Sequence, residues 1–219
     1  MKIDFFSNIS KGHYYSLRYP EADRFIVKVL WVHFILLALF ALLVYYFQPG
    51  IMYPNPLSWG VVSFEATVWV ITIGFLASLL PTILRGKFEN HYFYRILVTN
   101  CLFVFSYLFV FDTGGSIEAH FHFFIVLALL AIYNDWRLGW IGVLLVVAHH
   151  GILNIFSPHW VYYFGRNDFA VFSHALPVII AALYLTWITD NGLRAVQTQD
   201  KNNKELEIKL RQNIPELNT

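Results

Sequence analysis

"TGGSIEAHFHFFIVLALLAIYNDWRLGW", residues 113–140, carries the decision on the fold. Its apolar part, 117–133, lies between a glycine pair, Gly114–Gly115, that reads as a turn and the polar residues Asn134 and Asp135. A helix that crosses a bilayer needs about 20 mainly apolar residues. This stretch approaches that length only with His120 and His122 inside it. The reading therefore places two imidazoles within a membrane span.

The rest of the chain agrees with a membrane setting. Of 219 residues, 58% are hydrophobic, 19% aromatic and 13% charged. Soluble domains carry about 25% charged residues, and the mean hydropathy here is +0.54. Apolar runs predict six spans, at 25–47, 57–84, 92–111, 117–133, 138–156 and 169–189. Pro81 and Pro177 fall inside spans, which membrane helices tolerate. The expected fold is all-α, a polytopic bundle of six transmembrane helices.

Lys and Arg set the direction. With the N-terminus inside, 14 of the 15 Lys and Arg lie on the inner side, and only Arg166 falls in an outer loop. Both termini are then cytoplasmic, and the expected home is a bacterial cytoplasmic (inner) membrane. Tyr45, Tyr46, Trp59, Trp136, Trp140 and Trp160 mark the interfaces. Residues 1–24 read as a cytoplasmic segment without a cleavable signal, 25–189 as the membrane domain, and 190–219 as a polar tail. In the tail, Leu206 and Leu210 share a helical face and Glu205 can pair with Lys209. It reads as a cytoplasmic helix continuing the sixth span. The single cysteine, Cys101, cannot form an internal disulfide, and no basic stripe points to nucleic acid.

Nine histidines are present. On the six-span topology His120 and His122 enter the fourth span from outside, His149 and His150 approach the outer end of the fifth, and His174 enters the sixth. At about 1.5 Å per residue, His174 lies roughly 8 Å and His149 roughly 10 Å below the outer boundary, with Glu65 of the second span roughly 12 Å below it. Five histidines and a carboxylate thus share one thin slab. Ionisable groups inside a membrane are costly and face the bundle interior or a wet cavity. Residues two apart differ by about 200° around a helix, so His120 and His122 cannot both address one small centre. Glu118 shares a face with His122, and His150 with Asn154. The candidate metal ligands are His122, His150, His174, Glu118 and Glu65. Glu65, Glu118 and Asn154 are also candidates to orient a ligating imidazole. His33 and His91 read as packing or interfacial residues.

Two cofactors suit this slab. One is a copper, zinc or iron ion held by imidazoles. The other is a b-type haem with axial histidines, with Phe121, Phe123 and Phe124 against the porphyrin and Arg166 meeting a propionate. No CxxCH string is present for covalent haem.

"TGGSIEAHFHFF", "YNDWRLGW", "VVAHHGILN" and "FSHALPV" together resemble the His-rich, multi-span N-terminal membrane sensor modules of bacterial chemoreceptors, histidine kinases and diguanylate cyclases. The resemblance runs from about Phe25 to Gly192. It implies that His120, His122, His149, His150 and His174 are the matching histidines and that a kinase, cyclase or chemoreceptor output domain follows. The chain stops at Thr219, so the expectation is a fragment of a longer receptor or a module that meets its partner through 190–219.

The expected function is sensory. A metal, haem or gas ligand in the outer leaflet would shift the sixth helix and so reach a cytoplasmic output, in a possible homodimer. Two alternatives come from other classes. A membrane metal-dependent hydroxylase or desaturase would place HxxxH and HxxHH boxes towards the cytoplasm, whereas this chain has HxH and HH facing out. A metal or proton transporter would carry ionisable residues across the whole span, and here they occupy only the outer slab. Ser173 beside His174 is adjacent in sequence, which does not make a nucleophile and its base.

Overall fold

The computed structural model describes residues 19–47, 63–88 and 91–213. Among these residues there are six α-helices and no strand: α1 (Tyr19–Phe47), α2 (Phe64–Phe88), α3 (Tyr92–Asp112), α4 (Ile117–Leu130), α5 (Trp136–Phe156) and α6 (Asp168–Asn213). Five of them are long and apolar enough to cross a membrane. α4 is the short one, and it extends to Tyr133 only through a 3-10 turn, Ala131–Tyr133. The large apolar side chains left outside the bundle, such as Leu39 and Leu43 on α1, Leu144 and Ile155 on α5 and Leu183 and Trp187 on α6, suit a lipid surround. The chain is a multi-pass membrane protein.

The helix boundaries differ from the apolar runs in instructive ways. α1 begins at Tyr19, six residues before the apolar run at Phe25, because Pro20 and Glu21 are good first-turn residues. Most of the cytoplasmic segment assigned to 1–24 lies outside the described residues, as do His13, Trp59 and the first part of the expected 57–84 span. α6 is one continuous helix of 46 residues, about 69 Å long. Pro177 sits inside it and Pro81 inside α2. The Pro81 carbonyl accepts the Tyr94 hydroxyl at 2.9 Å.

Caps and turns place α4 and α5. The Ser116 side chain accepts the Ala119 N–H at 3.2 Å and starts α4. Asp135 caps α5 and grips Arg137 with both oxygens, at 2.8 and 2.7 Å. Asn134 takes the left-handed conformation between them, at φ 47°.

α3 is the hub. It packs on α1, α2, α4 and α5, and α6 lies against α5 and α4. Tyr94, Val98, Leu102, Phe103 and Phe105 of α3 are fully buried. α5 comes close to α3 at Gly142, where an added Cβ would stand 2.6 Å from the Phe103 ring. At the end opposite the glycine turn, the buried Tyr133 hydroxyl donates to Asp23 at 2.9 Å, tying α1 to the α4–α5 joint.

Candidate functional site

Three histidines meet where α4, α5 and α6 converge. The ring centres of His120 and His150 are 5.3 Å apart, those of His120 and His174 5.0 Å, and those of His150 and His174 5.4 Å. His120 and His150 are buried, at 6% and 2% exposure, and His174 is half-buried.

Each ring is held in the same way. His120 Nδ1 lies 2.7 Å from the Ser116 carbonyl, His150 Nδ1 2.8 Å from the Val146 carbonyl and His174 Nδ1 2.8 Å from the Ala170 carbonyl. All three carbonyls belong to the residue one helical turn earlier. A carbonyl only accepts, so each Nδ1 carries the proton and donates it. That leaves each Nε2 with a lone pair. His120 Nε2 and His150 Nε2 are buried with no hydrogen-bond partner among the described residues. Ligating histidines are oriented by this kind of bond on the other ring nitrogen.

The HxH string is divided between two places, as the helical angle requires. His120 joins the three-ring cluster. His122 points to the opposite side, where the Ser106 side chain is 2.8 Å from its Nδ1 and the His33 ring centre is 5.1 Å away. His33 keeps a 2.7 Å bond between its own Nδ1 and the Val29 carbonyl. His149 borders the cluster, stacked on Tyr107 at 4.3 Å and with its ring centre 5.2 Å from that of His150.

Several expected partners sit elsewhere. Of the expected ligands His122, His150, His174, Glu118 and Glu65, the structure brings together only His150 and His174, and it is His120 rather than His122 that stands with them. Glu65 is exposed in the first turn of α2, a helix that packs on α1 and α3 rather than on the helices of the cluster. Glu118 is exposed in the first turn of α4, and it is Ser106 that meets His122 Nδ1. Asn154 does not orient His150. It donates to Asp168 at 2.8 Å and accepts the Asn167 N–H at 3.0 Å, pinning the end of α5 to the start of α6. Arg166 meets Asp168 at 3.3 Å in an exposed pair.

Two residues were not legible as site residues. Tyr162, in the connection between α5 and α6, is 1% exposed, and its ring centre is 6.3, 5.8 and 5.3 Å from those of His120, His150 and His174. Its hydroxyl is buried with no hydrogen-bond partner among the described residues. The other is Gly115, which does more than turn the chain. At φ +80° it lies so close to the Val161–Tyr162 backbone that an added Cβ would stand 2.6 Å from the Tyr162 nitrogen. The Tyr163 N–H donates to the Gly115 carbonyl at 3.3 Å. A glycine pair just before an HFH string was the available signal.

The sequence has a counterpart with a described role. The chain is 38% identical over 87 residues to the transducer protein Htr8 of Halobacterium salinarum. Those residues are 40% of this chain and 12% of that protein, so the chain matches a small part of a much longer transducer. No protein-family model matches the chain, and no solved structure matches it.

Chemically, the cluster places three imidazoles side by side, each oriented by a bond from Nδ1 to a backbone carbonyl. With metal–nitrogen bonds of about 2.0 Å, imidazoles at tetrahedral angles around one ion have ring centres roughly 5 Å apart, whereas two axial imidazoles of a haem stand roughly 6 Å apart. The observed spacings of 5.0 to 5.4 Å match the first figure. Among the described residues, no group of three or more His, Cys, Asp or Glu side chains already stands as a metal-holding set.

Proposed function

We propose that the chain is the membrane sensory module of a signal transducer, with a transition-metal ion held by His120, His150 and His174 as its sensing element. The observation that carries the reading is the buried, unpartnered Nε2 of His120 and of His150 within a ring of three imidazoles, each braced at Nδ1 by its own helix. Two buried lone pairs without a donor are costly to keep. One cation would satisfy them together. It would draw the rings to a common point by small turns about their side-chain torsions, which are broad for histidine. Imidazole donors suit copper, zinc and iron. The triangular spacing favours an ion over a b-type haem.

The likeness to a transducer supports the sensory part of the reading. His174 sits on α6, which runs on as a single helix to Asn213. On the Lys and Arg distribution both termini face the cytoplasm, α4 serves as the fourth crossing element, and the end of α6 reaches the cytoplasmic output. A stimulus at the ion acts only through unequal binding to two positions of α6. The half-buried His174, less enclosed than its two partners, is the ligand whose helix can shift.

The test is metal content and an optical spectrum of the purified protein. About one ion per chain is expected. His120→Ala, His150→Ala and His174→Ala should each lose it, while His122→Ala and His33→Ala keep it. A Soret band that disappears in His150→Ala would put a haem in place of the ion. Protein that holds neither metal nor haem after expression with both supplied would end the reading.

A further inference from the structure

Tyr162 adds a hydrogen-bond donor to a site otherwise made of acceptors. The three histidines spend their only N–H on backbone carbonyls, so each Nε2 can only accept. The Tyr162 ring stands beside them, and its hydroxyl is buried with no hydrogen-bond partner among the described residues. The phenol is firmly held. Gly115 touches its backbone, and Val161 and Tyr162 form a small buried core with Ala170 and Leu153. A buried hydroxyl left without a partner is costly to keep. A well-fixed side chain carrying that cost in a cluster of ligand atoms points to a bound partner.

Counting donors and acceptors says what that partner is. Three histidines on one ion leave a fourth coordination position open. Once the ion takes the three lone pairs, those three imidazoles offer the phenol no acceptor. What occupies the open position can supply one. We propose that Tyr162 is the specificity residue of this site: it donates a hydrogen bond to a small exogenous ligand, one that keeps an acceptor lone pair when bound to the metal, and so selects such ligands over others. The inference rests on the three-histidine metal reading and names the class of molecule that the site senses.

The experiment uses the full chain in detergent, loaded with Cu(II) and titrated with azide while the visible charge-transfer band is followed. Wild type and Tyr162→Phe are compared, with copper content and copper affinity measured alongside. The phenylalanine keeps the ring and its packing. The expected result is unchanged copper content and affinity, with azide bound about tenfold more weakly, as the loss of one charge-assisted hydrogen bond implies. Equal azide affinity in the two proteins would overturn the role of Tyr162 while leaving the metal reading standing. Loss of copper from Tyr162→Phe would overturn it as well, because the phenol would then be a ligand or a structural support. Wild type that takes up no copper, zinc or iron would remove both readings, a result that metal analysis reports without any azide titration.

Discussion

Gly114 and Gly115 are adjacent, both have positive φ, and alanine should affect them very differently. At Gly114, φ is +63° and a Cβ would meet nothing within 4 Å. At Gly115, φ is +80° and a Cβ would stand 2.6 Å from the Tyr162 nitrogen and 2.7 Å from the Val161 and Tyr162 carbonyl carbons. The left-handed conformation costs a residue with a Cβ about 1–2 kcal/mol, and both variants bear that cost. Gly115→Ala must also push back two stretches of backbone. Overpacking costs about 1–3 kcal/mol, and backbone yields less readily than a side chain. The difference between the variants is then about 2 kcal/mol. For a chain of this size each kcal/mol shifts the melting temperature by about 2–4 °C. Gly115→Ala should therefore melt about 6 °C below Gly114→Ala in the same detergent. Because the displaced backbone carries Tyr162, azide binding should weaken in Gly115→Ala and stay unchanged in Gly114→Ala. Equal melting temperatures would refute the argument, since they would mean that the connection between α5 and α6 does not rest on Gly115.

Two further outcomes test the packing that holds the helices in place. Gly142→Ala would press a methyl group into the Phe103 ring and the Leu127 side chain, at 2.6 and 3.0 Å. A loss of about 1–3 kcal/mol in thermal stability is expected, and no loss would mean that α5 and α3 stand farther apart. Tyr133→Phe removes a 2.9 Å bond to the buried Asp23 carboxyl and should cost about 2 kcal/mol by thermal melting, with metal content intact. Metal loss in that variant would show that the α4–α5 joint and the histidine cluster are not independent.

The amino-acid sequence alone determined the membrane class and the all-helical fold, because apolar run length does not depend on how helices face one another. It also determined that His120 and His122 part company, since two residues on one helix are about 200° apart wherever that helix lies. Which of the two joins His150 and His174 was decided by tertiary structure. His120 lies on the face of α4 that carries the buried Phe123, Leu127 and Leu130, while His122 turns towards Ser106 and His33. In a soluble helix an apolar stripe against a polar face would have disclosed that face. α4 is apolar on nearly every side, because a helix in lipid needs no polar face, and so only the neighbours packed against it could set its rotation.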